Sequence, residues 1–520
     1  MARDPRAVFD AALDAHRAGD LAAAERGYAE ILERLPDQPD ALHLMGLVRL
    51  SRGAAAEAET LIRRSLARSG NVAEIWNSLG NALSTQEKRE DAAAAFGKAL
   101  AINPRLVGAL VNLGLLKKAV GQPAEAEKLW RQALAENPRS AEAWANLGGL
   151  LYRDNRWGEC VEAFERAAAL APRSALYANN LGMAYRTVGR VDEALACQER
   201  AAALDPALED ARLAIAMVHL SLGGWSKGWP AYLARPTPRH VETLTRTPLP
   251  SDLSGRRFLV RRNQGLGDEL FFLRFVPDLR RRGAARIAYE CDPRIAAMLE
   301  RARLADEIRP EPARLDGDET AVSVGDFPFL LGMSDGDTVP PSIRLEAEPA
   351  RRATVRERLR AAGPGPYLGV TWRAGTDGWL GILHKEVPLA ALASALRNWP
   401  GTLVALQRGP VASEVADFAR MSGRPVADFT ADNESLEDML AIVSEVEAYV
   451  AVSNTNVHLR AAVGLPTHVL VARPPDWRWM NAGERSPWFP DCPLYRQGND
   501  SSWDDALAAL RAVMGSIGGK

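Results

Sequence analysis

Small and apolar residues return at one fixed interval through the first half of the chain, and the pattern between returns is helical. Prolines fall at 104, 138, 172 and 206, a spacing of 34 residues, each directly after Asn103, Asn137, Ala171 or Asp205. In the same register stand Ser78-Leu79-Gly80, Asn112-Leu113-Gly114, Asn146-Leu147-Gly148 and Asn180-Leu181-Gly182, each followed by a small residue at Ala92, Ala126, Cys160 or Ala194. A Gly or Ala where two helices cross lets their backbones approach, an aromatic such as Phe96, Trp130 or Phe164 fills the next groove, and the proline stops the second helix. Weaker copies extend the array: Gly46, Ala58 and Ile62 mark one, Ala24, Tyr28 and Pro36 another, and Leu208 to Arg235 a last one. About seven helical hairpins over residues 1–235 are predicted to stack into a curved, all-α solenoid.

The period stops at residues 236–256, where Pro236, Pro238, Pro248 and Pro250 mark a linker. Beyond it short β runs alternate with helical stretches. Arg257 to Val260 reads as β, Glu269 to Arg282 as helix, Arg286 to Glu290 as β and Pro293 to Arg303 as helix. A second series has strands at Tyr367 to Trp372, Thr402 to Leu406, Ala448 to Val452 and Thr467 to Val471. This alternation predicts parallel sheets flanked by helices. Two lobes follow, an N-terminal one over 257–348 and a C-terminal one over 366–520, joined by a connection over 349–365 with a charged helix near Pro349 to Ala362. Ligands are expected at the carboxyl ends of the strands, in the cleft between lobes.

Composition narrows the function classes. The 520 residues are 47% hydrophobic and 25% charged, and 64 Lys and Arg against 66 Asp and Glu give a net charge of -2. No broad positive field is available to attract nucleic acid or an anionic membrane. The four cysteines, Cys160, Cys197, Cys291 and Cys492, lie far apart without metal-ligand spacing. Neither a signal peptide nor a membrane span is expected, and a cytoplasmic location fits.

The 34-residue period and its packing positions resemble the tetratricopeptide repeat, strongly so over residues 73 to 206. The resemblance implies a concave surface that binds an extended peptide or protein segment. Asn112, Asn146 and Asn180 share one register and should form a ladder along one face, where amides can pair with any peptide backbone. The other reading is that each Asn bonds within its own hairpin. A similar ladder grips the acceptor in the O-GlcNAc transferases, which also carry a glycosyltransferase after their repeats.

In the second half, Asn263-Gln264-Gly265-Leu266-Gly267-Asp268-Glu269, Trp372-Arg373-Ala374-Gly375, Lys385-Glu386-Val387-Pro388-Leu389, Leu406-Gln407-Arg408-Gly409 and Ser453-Asn454-Thr455-Asn456-Val457-His458-Leu459 occur in that order. Together they resemble the lipopolysaccharide heptosyltransferase type, glycosyltransferase family nine, with a GT-B fold of two Rossmann-like lobes. The resemblance covers roughly 257 to 515 and implies a metal-independent transferase that needs a nucleotide-sugar donor and no cofactor. Two glycines, Gly265 and Gly267, follow a strand and open a helix, so backbone amides can approach a sugar or phosphate. Asp268 takes the family's general-base position, with helix capping as the alternative. Lys385 occupies the place of the cation on the donor phosphates, with His384 beside it. Asn454, Thr455, Asn456 and His458 form the donor loop before a helix expected at Val457 to Val463. The family usually has an acid, then Ser or Thr and a small residue here; Asn454 and the bulkier Asn456 depart from that pattern.

Gln407, Arg373, Trp477 and Arg478 are candidate nucleotide contacts, the alternative for the tryptophans of Pro475 to Trp479 and Ser486 to Pro490 being core packing. Asp316-Gly317-Asp318 and Asp335-Gly336-Asp337 match the metal-binding DxD of another transferase fold, but read as ordinary turns. The expected function is transfer of a sugar to a Ser or Thr hydroxyl of a protein captured by the repeats, flagellin being the first acceptor suggested by similar bacterial fusions. The alternatives are a GT-B-like binding or scaffold protein without catalysis, and a transferase acting on a glycan or lipid-linked acceptor.

Overall fold

The computed structural model describes residues 4–235, 244–262, 265–375, 385–410 and 413–517. They form two compact units, Met1–Arg173 and Ser174–Lys520. The first is built wholly from five helical hairpins, running from Pro5–Arg17 with Leu21–Arg34 to Ala141–Arg153 with Trp157–Leu170. Within each hairpin the expected small residue meets a large one. A Cβ on Gly80 would overlap the ring of Phe96, one on Gly114 the ring of Trp130, and one on Gly148 would lie 2.9 Å from the ring of Phe164. The aromatic therefore packs on the glycine of its own repeat, rather than filling the next groove.

A second register in the repeats escaped the sequence reading. The turn joining the two helices of each hairpin passes through a left-handed residue: Gly19, Gly53, Glu87, Gly121 and Asn155 in the first unit, Gly189 and Gly223 in the second. Glycine accepts this conformation without a Cβ clash, which explains five of the seven positions. Glu87 and Asn155 hide the period because their side chains carry no obvious turn signature in common.

The second unit opens with two further hairpins, Ala175–Thr187 with Val191–Leu204 and Glu209–Ser221 with Trp225–Tyr232. Twelve strands follow among the described residues: β1 (Arg257–Arg261), β2 (Arg286–Cys291), β3 (Glu307–Pro310), β4 (Thr320–Ser323), β5 (Tyr367–Thr371), β6 (Arg373–Ala374), β7 (Lys385–Glu386), β8 (Thr402–Ala405), β9 (Val426–Asp428), β10 (Ala448–Val452), β11 (His468–Val471) and β12 (Leu494–Arg496). One parallel sheet has the order β3-β2-β1-β4 and a larger one β12-β11-β10-β5-β8-β9, while β6 and β7 pair as a small antiparallel ribbon. The α/β expectation is met. Strands β3, β4, β9 and β12 were not foreseen, because three or four residues are too few to establish a period.

One helix differs from expectation. The stretch from Glu269 is not one helix but Leu266–Phe272, a 3-10 turn at Leu273–Phe275 and Val276–Arg281, since Pro277 cannot donate the amide that a continuous helix needs. The division between compact units falls at residue 173, inside the repeat array. Aromatic packing is the reason. Trp229 of the last hairpin lies 5.2 Å from Trp477 and 5.8 Å from Trp488, edge to face, and 6.3 Å from Phe272 behind β1. These rings are buried in one hydrophobic core with Tyr232 and Phe271. The connecting helix Pro349–Ala362 buries Val355 and Leu359, and its Arg358 grips Asp432 at 2.7 and 2.9 Å. Residues 236–243 of the expected linker lie outside the described residues.

Candidate functional site

Each sheet has one place where the strand order reverses direction, between β1 and β4 in the first and between β10 and β5 in the second. Loops leaving the carboxyl ends of such strands splay apart and leave a crevice. Gly265 precedes and Gly267 and Asp268 open the helix that follows β1; Asn454 caps and Thr455, Asn456 and His458 open the helix that follows β10. The two helix starts meet. A Cβ on Gly267 would sit 3.3 Å from the His458 ring and 3.8 Å from Thr455 Oγ1. A side chain at 267 would crowd the His458 ring, so glycine eases this approach.

Asp268 is the third residue of helix Leu266–Phe272 and does not cap it; Gly265 holds the cap position without any side-chain bond. Its carboxylate instead accepts from the guanidinium of Arg478, and its side chain keeps 35% exposure. Arg478 also donates to both oxygens of Asp476 at 3.1 Å. Burial works against ionisation of Asp476, yet Arg478 and Lys385 outweigh it and hold the carboxyl at about 2. Lys385, on β7, points its ammonium toward the carbonyl of Ser453 at 3.5 Å, and with Asp476 and Ser453 it lines a small pocket at the carboxyl ends of β10 and β11.

The segment from Asn454 to His458 is only partly as expected. Its helix begins at Thr455, two residues early, because Asn454 is an N-cap whose Oδ1 accepts the Val457 amide at 3.1 Å while its Nδ2 donates to Tyr449 Oη at 3.3 Å. Asn456 is buried and donates to Asn433 Oδ1 at 3.2 Å, so its amide faces a neighbouring loop. His458 is buried between Phe271 and Phe489. Burial, with the cations of Arg478, Arg274 and Lys385 nearby, pushes its pKa down to about 3, so the ring is neutral and offers hydrogen bonds but no charge. Its Nδ1 has no partner among the described residues.

Several candidate nucleotide contacts are spent on structure. Gln407 is buried, accepting the amides of Trp372 and Arg373 at 3.2 and 3.0 Å and donating to the carbonyls of Arg373 and Arg408 at 3.0 Å. With both ends of its amide engaged, it clamps the end of β8 to the end of β5 rather than reading a base. Arg373 pairs with Glu414 and donates to the carbonyl of Gly409 at 2.9 Å. Trp477 belongs to the aromatic core, and Arg478 is committed to its two carboxylates. Asp316 and Asp318 face Arg257 at 3.4 Å, and Asp335 accepts the Ser226 amide at 2.8 Å. Among the described residues no group of three or more His, Cys, Asp or Glu could hold a metal ion. His384, Asn263 and Gln264 lie outside the described residues.

Glu269, next to Asp268, was overlooked because a lone Glu at a helix start looks solvated. It is fully buried, accepting from Tyr289 Oη at 3.0 Å and the Asp292 amide at 3.3 Å, with Arg262 at 3.5 Å. Burial raises its pKa from 4.5 to about 7 against the pull of Arg262. The ionised form is therefore the costly one in the folded state. Stability conferred below pH 4.5 is lost as the pH rises to about 7. Relative to Glu269→Gln, which does not titrate, the wild type should lose on the order of 2–3 kcal/mol between pH 4.5 and 8 in denaturant titrations; a difference independent of pH would show the carboxylate to be fully compensated.

The asparagine register divides by environment. Asn112 donates to Asn77 Oδ1 at 3.1 Å, in the preceding repeat. The Nδ2 of Asn146 is buried with no hydrogen-bond partner among the described residues. Asn180, in the second unit, is half-buried on helix Ala175–Thr187.

Comparison with known proteins agrees with the repeat reading. Tetratricopeptide repeat models match residues 73–106, 111–175 and 174–204. Protein FlbA of Caulobacter vibrioides is 26% identical over 341 residues, covering 58% of this chain and 54% of FlbA. The chain thus spans about half the length of that curated relative. Among solved structures, pilF of Pseudomonas aeruginosa is 20% identical, with a TM-score of 0.37 over 40% of this chain and 95% of that one. YrrB, described as a repeat protein with an unusual peptide-binding site, is 20% identical, with a TM-score of 0.29 over 35% of this chain and 95% of its own. No helix among the described residues is long and apolar enough to cross a membrane. From residue 73 to residue 204, the chain consists of tetratricopeptide repeats.

Proposed function

We propose that the protein is a glycosyltransferase that moves a sugar from a nucleotide-activated donor to a Ser or Thr hydroxyl of a protein held by the repeats, with flagellin the first acceptor to try. The observation that carries this reading is the meeting of Gly267, from one sheet's reversal point and next to Asp268, with Thr455 and His458 from the other's. The acceptor O–H gives its proton to Asp268 as its oxygen bonds the anomeric carbon. The bond from that carbon to the donor phosphate oxygen breaks, and its electron pair leaves with the phosphate. Lys385 is the cation that stabilises that leaving charge, and no metal is needed.

A second reading, a binding protein that has lost catalysis, is favoured by Asn454 and Asn456, whose amides engage the protein itself. Calorimetric titration of UDP, GDP, CMP, ADP and dTDP into the full-length protein and into Lys385→Ala separates the two. The transferase reading expects one nucleotide to bind selectively and Lys385→Ala to weaken it at least about tenfold, roughly 1.4 kcal/mol. Folded protein that binds none of the five points to the scaffold.

A further inference from the structure

We propose that Arg478 is a positioning residue, which aims the carboxylate of Asp268 and so sets the rate of proton transfer; this rests on the transferase reading above. Arg478 is 210 residues away in sequence and belongs to the other lobe. Its guanidinium is held at both terminal nitrogens and between two rings, while Nε is buried with no hydrogen-bond partner among the described residues. Nη1 donates to both oxygens of Asp476 at 3.1 Å, while the ring centroids of Trp477 and Phe271 lie 4.4 and 4.6 Å from its central carbon. The backbone beneath it is fixed as well, its amide bonded to Asp476 at 3.0 Å and its carbonyl to the Ser486 hydroxyl. Only 6% of the side chain is exposed.

From this fixed fork Nη2 takes Oδ1 of Asp268. The other oxygen, Oδ2, faces Gly265 and has no hydrogen bond among the described residues. One carboxylate oxygen is anchored and the other is left open beside the glycine loop. A planar guanidinium restricts rotation of the carboxylate it grips, whereas an ammonium restrains only distance. Asp476 takes no part in the reaction; it keeps the guanidinium in place.

The test measures steady-state transfer by full-length wild type, Arg478→Met, Arg478→Lys and the double variant Asp268→Asn/Arg478→Met. The donor is the sugar derivative of whichever nucleotide binds in calorimetry, and the acceptor is flagellin. Misaiming a reacting group by about 1 Å costs on the order of a hundredfold. Arg478→Met should therefore lower kcat about a hundredfold with donor KM within threefold, and Arg478→Lys should recover part of that loss, to about tenfold below wild type. The double variant should be no slower than Asp268→Asn alone. Nucleotide affinity, read by calorimetry, reports that each variant is folded; should Arg478→Met not fold, Arg478→Lys carries the test. A folded Arg478→Met or Arg478→Lys with unchanged kcat, or with a raised KM alone, overturns the positioning role and leaves the transferase reading standing. Wild type that binds the nucleotide but transfers from no donor removes both.

Discussion

On the proposed transferase reading, Asn in place of Asp268 is expected to cripple sugar transfer while leaving the fold and nucleotide binding intact. The substitution is isosteric, and its amide oxygen can still accept from Arg478, so the contact between lobes persists. What disappears is the proton acceptor. Positioned general bases contribute about a hundredfold to ten-thousandfold, so kcat should fall by about a thousandfold. Nucleotide affinity should stay within threefold, because Lys385 and the Thr455–His458 loop lie on the other lobe. Transfer assays alongside calorimetry check both halves. A rate within tenfold of wild type would mean that another group takes the proton.

The largest expected effect on stability comes from Arg460→Met. Arg460 is 1% exposed, and its guanidinium satisfies four backbone carbonyls: Pro466 at 2.7 Å, Val443 at 2.6 Å, Val446 at 3.0 Å and Glu447 at 3.0 Å. Two of these belong to the last turn and exit of helix Leu436–Glu445, where a cation also complements the helix dipole. Methionine fills similar volume but donates nothing. Each buried carbonyl left unpaired costs about 1–3 kcal/mol, which places the total at about 4 kcal/mol or more. Denaturant unfolding followed by tryptophan fluorescence reports the second unit through the buried Trp372, Trp399, Trp477 and Trp488, alongside the signal of Trp130 in the first. A loss under about 1 kcal/mol would mean that water replaces the guanidinium.

The repeat array was legible because its contacts are local. Gly80 meets Phe96 and Gly114 meets Trp130 sixteen residues on, so selection for one close crossing is written again in each repeat and appears as a period. Parallel sheets with flanking helices were legible for a related reason, as β1, β2, β5 and β10 are apolar runs long enough to be seen. Even the two loops that form the site could be picked out, since a turn between strand and helix leaves glycine and a polar cap behind.

What those loops do was decided elsewhere. Gln407 looked like a ligand contact until its amide was found bonded to four backbone groups at the ends of β5 and β8. Trp477 and Trp229 are 248 positions apart, yet their packing draws the last two hairpins into the second unit. Asp268 was open to a cap reading from its position near the helix start, which fell once Gly265 held the cap position and the carboxylate turned to Arg478 of the far lobe. Local periodicity records which residues neighbour one another along a helix or strand. Strand order and lobe closure, which carry no trace in any short window of residues, determine which distant side chains share a site, and with it whether a given Asp, Gln or Arg is left free to act.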